Sequence, residues 1–385
     1  MVSMLASITD RTFSHTNVHA LLNSGEKFDV VIVEQFANDA MKIFAHHFNA
    51  PLIVFSSIGP NDWVNKIVGN PSPSSYIPHM TLYCSSNMTF FPKIDELTDL
   101  LYVFPKHSQL LKKHFPYSPD FYEVYYNTSL VLLNSHESMY GSVPLVPSMI
   151  EIGGFHVAPP KKLPKDLQDY LDNASEGIVF SKLKEKVLWK WEDDVLPGQP
   201  PNVKLGKWFP QQDILAHPNV KVFITHGGLL STTETVYHGV PILAIPVFAD
   251  QHHNAATAVR NGYALSLAYH DPKFSEENLL HMLKELLYNP TYRDNVKQRS
   301  ELFHDRPQKP MDAAVYWVEY VVRNKGASHL RVAGVGMPWY KYHLVDVIAF
   351  LAGVTISTVL LLCFGIRWLL CRRSPSAKKN KLKQN

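Results

Sequence analysis

Between Val222 and Gly239 the chain runs from a short β-branched apolar segment, Val222 to Thr225, through His226, Gly227 and Gly228 into a helical segment that Gly239 closes. A strand that turns on glycine into a helix belongs to a parallel α/β sheet, and it lets backbone come close to a bound group. The unpaired N–H groups at the start of that helix, with the positive end of its dipole, attract phosphate, so a diphosphate is the natural guest. Polar and aromatic residues stand where the neighbouring strands end. Trp208 and Gln211 follow Val203 to Leu205, and Asp250 and Gln251 follow Ile242 to Pro246. In an open parallel sheet those ends line one crevice. Glu234 lies about two helical turns after His226, where a carboxylate can accept both hydroxyls of a ribose. Trp208 offers a flat face to a base.

Each piece alone is weak, since a lone His-Gly-Gly is more often an ordinary βα turn. The joint spacing is not. Running from Trp208 through His226 and Glu234 to Asp250 and Gln251 without a gap, it resembles the signature of the UDP-glycosyltransferases, the family that includes the glucuronosyltransferases. The resemblance implies an α/β fold of two Rossmann-like domains facing a cleft, the GT-B architecture. It also implies a UDP-sugar as co-substrate and no cofactor or metal. Position by position, Trp208 would stack on uracil with Gln211 helping to hold it. His226 and the amides around Gly227, Gly228 and Ser231 would grip the diphosphate, Glu234 the ribose, and Asp250 with Gln251 the sugar hydroxyls. Leu230 departs from the pattern, because many relatives carry an asparagine there.

A chain of 385 residues suggests two domains plus accessories. We expect an acceptor-side domain over 1–155, a linker over 156–164 within the Gly- and Pro-rich stretch Ile150 to Pro164, and a donor-side domain over 165–335. The net charge is +3, but seven basic residues and no acid follow residue 366, so subtracting them leaves the rest at −4. That excludes a nucleic-acid binder. Three cysteines make no disulfide framework. Asn87, Asn127 and Asn173 begin glycosylation sequons, which matter if the body is luminal.

Phe28 to Val33 is a buried-type strand ending at Glu34, and with a helix from about Ala37 to Phe48 and the strand Leu52 to Ser56 it completes a βαβ unit. Ser129 to Asn134 is another strand. Farther on, Ser275 caps a helix reaching about Leu287, and Tyr292 to Phe303 and Met311 to Asn324 are helices. By resemblance the last of these crosses back to the first domain. Residues 336–346 form a juxtamembrane segment. Val347 to Ile366 carries no charge over twenty residues, enough to span a bilayer once. The basic tail over 367–385 then lies in the cytosol and the body across the membrane. Lys381 and Lys383 resemble a dilysine retrieval signal of type I endoplasmic-reticulum proteins.

Transfer from an α-linked UDP-sugar needs a base for the acceptor proton, stabilisation of the departing diphosphate, and alignment of the two. The resemblance implies inversion, with a base histidine oriented by an acidic residue. The acidic position matches Glu34, where vertebrate relatives carry aspartate; a plain helix-entry residue is the alternative. The histidine's strand precedes residue 1 in the family's order, so the catalytic base and a signal peptide are expected to be absent from these residues. His15 and His19 have no matching context and are expected at the surface. From Phe180-Ser181 only Lys182 to Lys186 lead to the strand Val187 to Trp191, too few for a parallel crossover. Relatives have a Gly-Ser phosphate loop and a helix there, so the resemblance implies a deletion after Ser181. Glu192-Asp193-Asp194 sits in a loop beside Pro197-Gly198 and is a solvated charge run rather than a metal site.

The expected function is transfer of a hexose, glucose rather than glucuronic acid, to small lipophilic hydroxyl acceptors at the endoplasmic-reticulum membrane. Glucose is favoured because the second half looks like the arthropod branch. The alternative is a catalytically silent variant that binds the donor or an intact partner subunit. Homo- and hetero-oligomers are both compatible with the sequence.

Overall fold

The computed structural model describes residues 2–72, 102–174, 185–193, 195–248 and 250–372. Phe180 and Ser181 with the expected deletion after them, Asp194, Asn87, and Lys381 with Lys383 lie outside them. Residues up to Val335 form one compact unit and those from Gly336 another.

The first sheet has four parallel strands in the order β1 (Val31–Glu34), β2 (Leu52–Ser56), β3 (Leu130–Leu133) and β4 (Met149–Glu151). The apolar runs LIVFS and LVLL are buried almost throughout, as expected for parallel strands covered on both faces. β1 starts three residues later than expected. The single helix expected from Ala37 is a 3₁₀ turn, Asp39–Lys42, followed by Ile43–His47, because Ala37 takes a positive φ of 50° and Asn38 is not helical. The Gly- and Pro-rich stretch from Ile150, within which the linker is expected, begins inside β4. Leu132 and Ile150 are paired in register there, so the connection starts after Glu151.

One side of this sheet packs on Phe13, whose ring meets Phe44 and Phe115 edge-on, and on Ile43, Val64, Leu111 and Tyr125. Within that apolar layer lies a polar cluster. Lys42 and Asp39 are 1% and 5% exposed and form an ion pair. The Gln35 side chain donates to Asp39 Oδ1 at 2.9 Å and accepts from Lys42. Burial pushes the Asp39 carboxyl up, but Lys42, His107 and these hydrogen bonds outweigh it and hold it below its ordinary value.

Two further parallel ladders follow: β5 (Val187–Lys190) with β6 (Val203–Gly206), and β7 (Phe223–Thr225), β8 (Ile242–Ala244) and β9 (Ala264–Ser266) in that order. The helix Glu276–Tyr288 is capped by Ser275, whose hydroxyl accepts from the Asn278 amide. Pro290 opens the next helix, Pro290–His304, where its missing N–H is no loss. The helix Pro310–Arg323 returns to the first sheet: Ala314 and Val321 pack with Ile53, Leu130, Leu132 and Ile152. The short helix Glu137–Tyr140 packs in the other direction. Met139 joins the cluster around Val236, Ile242 and Phe303, and the carbonyls of Ser138 and Met139 accept from Arg299 and Asn261.

In the second unit, Val345–Arg372 is one helix of 28 residues, about 42 Å long. Its segment Val345–Cys371, which contains an 18-residue window of mean hydropathy 2.5, is the one helix among the described residues long and apolar enough to cross a membrane.

Candidate functional site

β7 and β8 are parallel neighbours, so the turns after Thr225 and after Ala244 leave the same edge of their sheet. Gly227 takes φ +81°, which suits glycine, and its amide donates to Thr225 Oγ1 at 3.2 Å. The exposed His226 imidazole folds over Gly228, with Nε2 2.5 Å from where a Cβ would stand. Gly228 is the N-cap of the helix Leu229–His238, so no capping side chain covers the first-turn amides that include Ser231. Buried Thr232, Thr233 and Thr235 satisfy their hydroxyls on carbonyls of that same helix, which lets a polar sequence pack inside.

Glu234 is 7% exposed and held on both oxygens. Gln211 Nε2 donates to Oε2 and, at 3.1 Å, to Ser231 Oγ, while Gln212 Nε2 donates to Oε1 at 3.2 Å. The structure thus brings Gln211, Ser231 and Glu234 into one contact set. It puts the Gln211 amide on the carboxylate rather than in open reach of a base. Trp208, three residues earlier, is 74% exposed at the exit of β6, a ring that packs little in the core and is open to stacking.

Asp250 and Gln251 belong to a second set. Asn254 Nδ2 donates to Asp250 Oδ2 at 2.8 Å and to the Gly227 carbonyl at 3.0 Å, which ties the glycine turn to the aspartate. Tyr140, from the first sheet's side, donates to Asn254 Oδ1 at 2.9 Å. Gln251 spends its carboxamide oxygen on the amides of Val247 and Phe248, at 2.9 and 3.1 Å, and so shapes the loop before Asp250. Sequence reasoning missed Gln212, Asn254, Tyr140 and His156. Only Gln212, beside Gln211, stood within the stretch it singled out.

Glu34 is exposed at the carboxyl end of β1, in register with Phe55. His15 and His19 are exposed, as expected. Lys190 pairs with Glu192, and among the described residues no group of three or more His, Cys, Asp or Glu side chains could hold a metal ion.

The family model described as "UDP-glucoronosyl and UDP-glucosyl transferase" matches residues 2–184 and 179–381. The UDP-glycosyltransferase UGT5 of Dactylopius coccus is 39% identical over 383 residues, covering 90% of this chain and 72% of that protein. UDP-glucosyltransferase 2 of the same organism is 36% identical over 398 residues, covering 94% and 76%. Among solved structures, glycosyltransferase VinC in complex with DTDP superposes with a TM-score of 0.56 at 17% identity, over 84% of this chain and 79% of that one. The fold is therefore that of the GT-B glycosyltransferases, and the chain belongs to the UDP-glucuronosyl and UDP-glucosyl transferase family.

Proposed function

We propose that the protein is an inverting, membrane-anchored transferase that moves a hexose from a UDP-sugar to the hydroxyl of a small lipophilic acceptor. The observation that carries this reading is the buried Glu234 carboxylate, flanked by Gln211 and Ser231 on a helix whose first-turn amides are uncapped. Trp208 takes the uracil face, Glu234 the ribose, and His226 with the amides of Gly228 and Ser231 the diphosphate. Asp250 and Gln251 take the sugar. In the reaction the acceptor oxygen forms a bond to the anomeric carbon, the bond from that carbon to the diphosphate breaks, and UDP leaves with its charge on the helix terminus. The acceptor proton must pass to a general base, in the family a histidine that no residue singled out in this chain matches, and Glu34 is our candidate for the acidic group that orients it. Glucose is the sugar we favour, supported by the relative named a UDP-glucosyltransferase.

Calorimetry of the full chain with UDP tests the site. Trp208→Ala and Glu234→Ala should each weaken binding by about 1–3 kcal/mol, the range for a stacked base and for hydrogen bonds to a charged group. Unchanged affinity in both variants would sink the assignment.

We place the body in the lumen of the endoplasmic reticulum and the basic tail in the cytosol. The sequons at Asn127 and Asn173 support this, since both side chains are exposed. Endoglycosidase digestion of the protein from a secretory-competent cell should therefore raise its gel mobility, and Asn127→Gln with Asn173→Gln should reduce that shift. A mobility indifferent to the enzyme would contradict a luminal body.

A further inference from the structure

His156 closes the turn over residues 153–156 that leads away from β4, a turn tied by the Phe155 amide on the Ile152 carbonyl and the Val157 amide on the Gly154 carbonyl, and it stands against Glu234. Its Nε2 is 3.4 Å from the Leu230 carbonyl oxygen and 3.7 Å from Glu234 Oε1. A carbonyl only accepts, so Nε2 carries the hydrogen. Burial holds the imidazole below its ordinary value, so near neutral pH the ring acts as a neutral N–H dipole aimed at the first turn of the helix and the carboxylate beyond it.

The same stretch fixes a second holder of that carboxylate. The His156 carbonyl accepts from Gln212 Nε2 at 3.2 Å, and the Ala158 amide donates to Gln212 Oε1 at 3.1 Å. The Lys161 amide donates to Asp213 Oδ1 at 2.7 Å, extending the tie to the next residue. Gln212 Nε2 is the group that reaches Glu234 Oε1. Oε1 thus accepts from Gln212, which the connection holds, with His156 beside it, and Oε2 accepts from Gln211. His156 Nδ1 is buried with no hydrogen-bond partner, an arrangement that normally costs stability. A ring kept only to fill space would be an apolar one.

We propose that His156 is a positioning residue of the donor site: through Leu230 and alongside Gln212 it sets the orientation of Glu234, which makes the connection between the two sheets part of the ribose-binding apparatus. This rests on the reading of Glu234 as the ribose carboxylate.

The test compares UDP with 2′-deoxy-UDP, titrated calorimetrically into the full chain in detergent. The wild type should prefer UDP, because the deoxy compound lacks a hydroxyl that Glu234 accepts. His156→Ala should weaken UDP about five- to tenfold and bring the two affinities closer together, in line with loss of one or two hydrogen-bond equivalents. His156→Gln, which returns an N–H at the reach of Nε2, should keep the preference. His156→Asn, too short to reach, should lose it. A purely structural role would weaken both nucleotides alike and leave their ratio unchanged in every folded variant, which overturns the proposal. Glu234→Gln separates the two levels. If it narrows the ratio and the His156 variants do not, only this inference fails. If it leaves the ratio intact, the ribose reading fails and takes this inference with it.

Discussion

Replacing Lys42 by methionine should lower the stability of the body by about 3–5 kcal/mol, the cost of removing one partner from a buried ion pair. The size follows from what stays behind. Asp39, 5% exposed, would keep its buried carboxylate with the Gln35 amide as its remaining side-chain donor among the described residues and with His107 as the nearest basic group, and Gln35 Oε1 would lose the ammonium it accepts from. The Lys42 ammonium also lies 5.0 Å from the centre of the Tyr125 ring, an attraction that disappears with it. Methionine fills nearly the same volume, so little of the loss is packing. Adding Asp39→Asn should recover most of it, because no buried charge is then left alone.

The pH dependence separates this explanation from a packing defect. In the wild type the Asp39 carboxyl is held below its ordinary value, so its contribution is complete above the usual carboxylate range, about 3.9, and is lost as pH falls through the folded value. In Lys42→Met the sign reverses. A buried, unpaired carboxyl titrates above its ordinary value, the folded state binds the extra proton, and stability falls as pH rises through that range. Thermal melting should show a gap between variant and wild type that is smaller near pH 5 than near pH 8. A gap independent of pH would refute the ion-pair account.

That cluster was invisible in the sequence for a physical reason. Gln35, Asp39 and Lys42 look like the solvated face of a surface helix, and only His107 and Tyr125, more than sixty residues later, turn that face inward. The donor stretch was legible because its chemistry is written locally: strand, glycine turn and helix set the places of His226, Gly228 and Glu234 within a few residues of one another. The partners of those side chains were less so. The resemblance gave Gln211 to the base, and position alone could not say that its amide also meets Ser231 and Glu234, a buried carboxylate being a strong acceptor. β4 escaped notice since three residues between Pro147 and Gly153 show no period, and its pairing with β3 is what makes it a strand. His156 sits only three residues beyond Gly153. No local pattern says that the chain then folds back onto the helix carrying Glu234.

Gly153→Ala should be the other severe change, costing about 3 kcal/mol and weakening UDP binding with it, because the obstacle is backbone rather than side chain. A Cβ on Gly153 would stand 2.4 Å from the Ser135 carbonyl oxygen and 2.6 Å from its carbon. Neither strand end can easily withdraw. The Gly153 amide donates to that same Ser135 oxygen at 3.0 Å, Ser135 Oγ donates to Glu151 Oε1 at 2.8 Å, and Arg306 donates to the Gly153 carbonyl at 2.8 Å. Relief must come from moving the exit of β4, which carries His156 three residues later and with it the ties to Gln212 and Leu230. Thermal melting and UDP calorimetry should therefore fall together in Gly153→Ala. Trimming the neighbour with Ser135→Ala should rescue neither, since the atoms in the way belong to the main chain. Recovery in that double variant would show that the clash is one of side chains and would break the link drawn here between the β4 exit and the donor site.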